Sequence, residues 1–525
     1  MNKLNDKQSL TLDEKIGQLF MFGFDALEVN DHAIELIKEY KVGNVILFTR
    51  NVKTPEQLFT LNQNLQKLAY EHIGIPLLIS IDQEGGMVTR IHNGGTFFPG
   101  AMTTAATHDS NNAYLSGKYM GEELKSFGIN MNFAPVLDVN NNPENPVIGV
   151  RSYSDDPKMV TEYGVAFMKG MQESIIATGK HFPGHGDTHV DSHLALPKVD
   201  HPMERLERIE LAPFKKAIKS GLKAIMSSHI DFPALTENNL PTTLSKKCMT
   251  DFLRGTLGFE GLIVTDGMQM KAIQDNYTTV EASLMAIEAG VNIVCICHAR
   301  DLQIKAVKRV KEAVENGTLS EAVIDERVNR VLEYKAALDP VDFNQTFEDI
   351  KPVVFDQYTK EFALNTVRNA LTLVKGNPLV LNENALFIGV SPKATTIADE
   401  ADLDNDVIEQ IKKEFPSLKT HHVTLNPSDD MIESIKEQAQ GYDQIILTTY
   451  NANNNKQQIK LIDALNSTDK DFHVIAMRNP YDLYYTDNIP NFVTLYEYTP
   501  NSIKVLLEYL KSDLKPTGKL PVHYV

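Results

Sequence analysis

Residues 180–193, KHFPGHGDTHVDSH, gather one lysine, four histidines and two aspartates into fourteen positions at the exit of a short apolar run. Imidazoles interleaved with carboxylates can exchange protons near neutral pH, where histidine ordinarily titrates. Asp266 stands by itself at the end of another apolar run, LIVTD. An acid/base group opposite an isolated carboxylate is the pairing that nucleophilic displacement needs. Within the loop, Asp191 and His193 are two residues apart and leave an extended chain on the same side. Asp191 can then accept a hydrogen bond from one ring nitrogen of His193, fix its tautomer, favour the protonated ring and aim the other nitrogen at a substrate.

His181, His185, His189 and His193 also recur every four residues, which on a helix would form a metal-binding stripe. Pro183, Gly184 and Gly186 oppose a helix here, so the period has no face to act on. A loop that gathers some of these rings around zinc stays open as an alternative. Asp266 follows Leu262, Ile263, Val264 and Thr265, and Gly267 lets the backbone turn directly afterwards. It is expected in a pocket floor, with Lys180 or Arg151 supplying the charge that a buried carboxylate requires. The other reading makes it the cap of the next helix. Asp82, in ISIDQEGG, and Arg151, in NPVIGVRSYSDDP, suit hydroxyl and N-acyl or carboxylate groups, or else form a loop-anchoring salt bridge. Glu84 could compete as an acid. His229, in SSHI, is either a pocket wall or a satisfied core histidine.

Such groups need a frame to hold them. The first two-thirds of the 525-residue chain repeats a short apolar run, a polar loop and a helix-period segment. Strands are predicted at 19–24, 44–48, 76–82, 130–134, 175–181, 224–229, 262–266 and 292–297. Helix-period segments lie between them at 55–71, 112–127, 158–172, 203–220 and 279–289. Apolar strands alternating with helices predict a parallel sheet covered on both faces, and eight such units predict a (β/α)8 TIM-type barrel over residues 1–338. Asp82, Lys180, His181, His229 and Asp266 then stand at the C-terminal strand ends, where barrels of this type carry their chemistry. Residues 339–355 are proline-broken and acidic, a predicted linker. From 356 to 525 the alternation resumes through ALTLVK, ALFIGV, QIILTTY, HVIAM and FVTLYEY, a predicted smaller α/β sandwich domain in which the asparagine-rich 451–455 is a loop.

A 42% hydrophobic and 23% charged composition allows two buried cores. The net charge of −18 argues against nucleic acid or an anionic membrane as partner. The N-terminal segment is polar, and no stretch approaches the ~20 apolar residues of a membrane span. The three cysteines, Cys248, Cys295 and Cys297, do not read as a disulfide framework. A cytoplasmic location follows as the expectation.

The pieces IDQEGG (81–86), NFAPVLDV (132–139), IGVRSYSDD (148–156), KHFPGHGDTHVDSH (180–193) and IVTDGMQM (263–270) resemble the family-3 glycoside hydrolases, in the β-N-acetylglucosaminidase branch that processes cell-wall fragments. KPTGKLPV (515–522) is similar to the C-terminus of two-domain members. The resemblance implies a retaining enzyme that removes terminal N-acetylglucosamine (GlcNAc) from its linkage to N-acetylmuramic acid (MurNAc), in a disaccharide or muropeptide, without metal or cofactor. Asp266 would be the nucleophile that forms a glycosyl-enzyme. His193, oriented by Asp191, would be the acid/base in place of the second carboxylate of most retaining glycosidases. Asp82, Arg151, Lys180 and His181 would hold the sugar, with His229 beside them. Many relatives carry a second acid where this chain has Gly267, and Cys295 and Cys297 receive no role. A neutral imidazole base would also admit an anion, so phosphorolysis is one alternative. A metal-dependent barrel hydrolase and a non-catalytic amino-sugar-binding protein are the others.

Overall fold

The computed structural model describes Leu4 and residues 10–189, 196–390 and 406–523. Eight strands form the first sheet: β1 (Phe20–Phe22), β2 (Asn44–Leu47), β3 (Leu78–Ile81), β4 (Met131–Asn132), β5 (Ile176–Phe182), β6 (Ala224–Ser227), β7 (Leu262–Thr265) and β8 (Val294–Ile296). They run in the order β7-β6-β5-β4-β3-β2-β1-β8, all parallel. A bridge between Val264 and Ile293, with the Thr265 amide donating to the Ile293 carbonyl at 3.0 Å, brings β7 and β8 together and nearly closes the barrel. Every residue of these strands is buried, as expected of a parallel sheet wrapped by helices. The strands are the eight predicted ones, shortened by a residue or more at most ends.

The helices start where local chemistry allows. Pro55–His72 opens with Thr54 accepting from the Gln57 amide and with proline in the first turn, where its missing N–H costs nothing. The predicted helix at 203–220 divides into Met203–Arg208 and Leu211–Lys219. Pro213 has no N–H to offer the Ile209 carbonyl, so one continuous helix cannot pass through this point. Among the described residues no helix is long and apolar enough to cross a membrane.

The second sheet contains β9 (Thr372–Lys375), β10 (Ala385–Val390), β11 (Lys419–Val423), β12 (Gln444–Thr449), β13 (Asp471–Ala476) and β14 (Asn491–Thr494). Its order is β11-β10-β12-β13-β14-β9, parallel except for β9. Two features depart from the sequence expectation. β11, KTHHV, is an unpredicted edge strand whose polar residues remain partly in water, so it lacks the apolar signature of its neighbours. The predicted linker contains the helix Phe347–Val354, started by a Thr346–Asp349 capping box and anchored by buried Ile350 and Val354.

The second unit braces the long loop that follows β4. Asn140 Nδ2 donates to Tyr481 Oη at 2.9 Å, the Val150 amide to Asn479 Oδ1 at 3.3 Å, and Asn453 Nδ2 to the Pro143 carbonyl at 2.9 Å. The asparagine-rich turn at 451–455 is thus part of the contact between the units. Buried Glu497 reaches across as well, accepting from the Gly100 amide at 2.8 Å and Thr103 Oγ1 at 2.6 Å.

Candidate active site

Short strands ending together leave a cavity of about 370 Å³ above β2–β8, lined by Asp82, Arg151, Lys180, His181, His185 and Asp266 among others. Asp82 follows β3, Lys180 and His181 belong to β5, and Asp266 follows β7, so one rim assembles groups far apart in the chain.

Glu84 organises one wall. Its Oε2 accepts from Arg151 Nε at 2.9 Å, while its Oε1 receives Arg151 Nη2 at 2.8 Å and Lys180 Nζ at 2.6 Å. Lys180 Nζ also donates to Asp82 Oδ1 at 2.7 Å. Burial opposes ionisation of Glu84, yet Arg151 and Lys180 outweigh it and hold the carboxyl far below its ordinary range. Glu84 is therefore a fixed anion, which corrects the expectation that it competes as an acid. Lys180 and Arg151, the candidates for offsetting Asp266, pair with Glu84, and Lys180 also pairs with Asp82. Asp82 and Arg151 both line the cavity and belong to a salt-bridge network.

Asp138 organises the histidines. This fully buried carboxylate accepts from the backbone amides of His181 at 3.1 Å and His185 at 2.7 Å, and its Oδ2 lies 2.7 Å from His181 Nδ1. Burial alone would raise its pKa, but His181 outweighs burial and lowers it. With Nδ1–H directed to Asp138, the other nitrogen of His181 is left for the cavity. Asp138 ends an apolar run, VLD, as Asp82 and Asp266 do, and that is the one local signal of its role.

The remaining histidines separate. His185 Nδ1 lies 2.9 Å from Thr188 Oγ1, and burial, helped by His181, pushes its pKa down to about 4. His189 Nδ1 meets Asn142 Nδ2 at 3.2 Å. Asp187 accepts from His201 Nε2 at 2.6 Å and from Arg205 at 3.4 Å. Among the described residues no three or more His, Cys, Asp or Glu side chains form a metal-holding group. Asp191 and His193 lie outside the described residues. The chain leading to them is tied to the β4 loop, because Asn145 Nδ2 donates to the carbonyls of His185 at 2.9 Å and Gly186 at 3.0 Å. Only glycine fits at 186, where a Cβ would stand 1.7 Å from the Val139 carbonyl oxygen.

Asp266 is partly buried, and its Oδ1 accepts from the Gly267 amide at 2.7 Å. The next helix begins at Lys271 with Met270 as its N-cap, so Asp266 does not cap it. His229, expected among the sugar ligands, is 1% exposed. Its Nδ1 lies 3.0 Å from Thr243 Oγ1 and its Nε2 lies 3.2 Å from the Gly267 carbonyl. Both nitrogens are engaged behind the Asp266 turn, which makes His229 a support for that turn rather than a ligand. Beyond the predicted residues, Phe48, Arg90, Gln269, Lys271 and His298 contribute to the cavity.

This geometry meets known proteins at several points. The family model described as "Glycosyl hydrolase family 3 N terminal domain" matches residues 11–334. A β-hexosaminidase A of Pseudoalteromonas piscicida is 38% identical over 327 residues, covering 58% of this chain and 55% of that protein. The match thus spans about half the length of that relative. A β-hexosaminidase of Nitrosomonas eutropha is 37% identical over 267 residues, 50% of this chain and 75% of that one. The solved structure of a glycoside hydrolase family 3 β-N-acetylglucosaminidase from Paenibacillus sp. str. FPU-7 superposes with a TM-score of 0.90 at 37% identity, covering 98% of this chain and 99% of that one. The likeness therefore extends through the second sheet as well as the barrel, and the chain belongs to glycosyl hydrolase family 3.

Proposed function

We propose that this chain is a retaining β-N-acetylglucosaminidase that releases terminal GlcNAc from GlcNAc-MurNAc fragments of the cell wall. The observation that carries the reading is the Asp266 carboxylate in a cavity that the Asp82–Lys180–Glu84–Arg151 network also lines. Those groups suit a sugar: Asp82 accepts from ring hydroxyls, while Lys180 and Arg151 donate to hydroxyl and acyl oxygens. The similarity to β-hexosaminidases and to a β-N-acetylglucosaminidase supports the amino sugar. Lys271 on the cavity rim supplies a cation for an acidic aglycone.

In this reading an Asp266 oxygen attacks the anomeric carbon while His193, held by Asp191, protonates the departing oxygen. His193 then takes a proton from the water that attacks the glycosyl-enzyme, and Asp266 is released with the configuration retained. His181 keeps its orientation through Asp138 and donates or accepts at the bound sugar. An aryl β-N-acetylglucosaminide assayed beside the matching β-glucoside tests the substrate class, and nuclear magnetic resonance of the first-formed anomer tests retention. The reading expects turnover of the amino sugar alone, with the β-anomer released first. Turnover of the glucoside alone, or an α-anomer product, would overturn it. Inorganic phosphate in the same assay distinguishes hydrolysis from phosphorolysis through the appearance of a sugar phosphate.

A further inference from the structure

Cys295 in β8 and Cys297 just beyond it are two residues apart on extended chain, so their side chains leave the same face. That face is the cavity, which both line together with Asp82 and Asp266. Their sulfurs are 3.6 Å apart. Cys295 is 2% exposed, whereas Cys297 is partly open. A Cβ built on Gly267 would meet Cys297 Sγ at 3.4 Å, which packs this sulfur against the turn that carries Asp266. All three cysteines are free thiols, and the glycosidase reading uses none of them.

We propose that Cys295 and Cys297 form a chelating site for a thiophilic divalent cation of the Zn²⁺ or Cd²⁺ type, and that its occupancy closes the cavity to a sugar. With Zn–S bonds of about 2.3 Å, sulfurs 3.6 Å apart subtend about 100° at the metal, close to tetrahedral. The charge environment agrees. A hydrogen bond with Cys297, then burial, raise the Cys295 thiol well above its ordinary pKa, and the nearby Asp266 and Asp82 carboxylates add to the shift. The carboxylates that disfavour a bare thiolate favour a dication in its place. Binding is a proton exchange without redox change: two S–H bonds give two metal–sulfur bonds and release two protons to solvent. Water completes the coordination. With two protein sulfurs rather than a closed set of four ligands, the site is open, unlike a structural zinc centre.

A Cd²⁺ titration of the whole chain under a phosphine reductant, read by the ultraviolet thiolate-to-metal band, tests this directly. The band should saturate at one cation per chain with two protons released, disappear in both C295A and C297A, and persist in C248A. In the aryl glycoside assay, a cation at about ten times its dissociation constant should raise apparent KM about tenfold at constant kcat. A chelator should reverse the effect, with each variant compared against its own metal-free rate. C297S, at the more open position, carries the test if C295A does not fold. No band, a band that survives in C297S, or inhibition that persists in C297S would overturn the proposal. The spectral titration needs no turnover, so it decides the site even if the chain fails to cleave the glycoside.

Discussion

Replacing Glu84 with glutamine removes the one anion shared by two cavity cations while keeping the side chain's shape. Glu84 receives both Arg151 Nε and Nη2, together with Lys180 Nζ, at 2.6–2.9 Å. Breaking a buried ion pair from one side costs about 3–5 kcal/mol, because the partner's charge remains buried and uncompensated. Two cations lose their anion here, but the amide oxygen still accepts one bond and Asp82 still holds Lys180, so E84Q should lose about 3 kcal/mol at pH 7. The sign with pH is determined by the lowered carboxyl pKa. A depressed folded-state value stabilises above the unfolded value, near 4.3, and that stabilisation is lost as pH falls below it. The gap between parent and E84Q in denaturant midpoint should therefore hold from pH 7 to about pH 5 and shrink under about pH 4. Activity should fall too. If Lys180 and Arg151 hold the sugar, each displaced charged hydrogen bond is worth about 1.5–3 kcal/mol, roughly ten- to a hundredfold in kcat/KM and mostly through KM. A variant as stable as the parent at pH 7 with unchanged KM would refute the idea that Glu84 sets these cations in place.

Three further outcomes follow from the same contacts. Asp138→Asn should turn an amide N–H toward His181 Nδ1 and disturb its tautomer, lowering kcat/KM by about tenfold or more, with the ring nitrogen shifts in NMR reporting the change. His185, with a pKa of about 4 against an ordinary 6.5, should stay neutral in an NMR titration from pH 8 to 5. Its depressed value means that the stability it contributes is present above pH 6.5 and is lost as pH falls toward 4, on the order of 3 kcal/mol in all, so replacing it with an uncharged side chain should flatten acid unfolding. Buried Asp482 has one oxygen bonded by Thr449 and its Oδ1 unpartnered, and burial pushes its pKa up to about 7. A raised folded value stabilises below the unfolded pKa and is lost as pH rises through 7, so D482N should gain stability relative to the parent at pH 8 and little at pH 5, read from melting temperatures.

The barrel is legible because its eight strands are buried on both faces, so each reads as a continuous apolar run that ends in a polar residue. The same signal places Asp82, Lys180, His181 and Asp266 on one rim without any knowledge of their contacts. What local pattern cannot supply is pairing. Glu84 finds Arg151 and Lys180 across 67 and 96 positions, and Asp138 reaches His181 across 43, so neither hub is visible within a short window. His229 shows the opposite failure. It ends a strand like its neighbours, but Thr243 and the Gly267 carbonyl take up its ring, a choice made by the loop after β6. β11 escapes because an edge strand has no need to be apolar on both sides. The helix Phe347–Val354 is hidden by Pro352, which sequence rules read as a breaker.

The most direct test is to trap the covalent intermediate. An activated fluorosugar analogue of N-acetylglucosamine, which slows the second displacement, should add one sugar mass to the intact chain, and peptide mapping should place it on the segment that contains Asp266. A sugar on another residue, or complete turnover of the analogue with no adduct at any time while D266N keeps the parent's rate, would contradict the account.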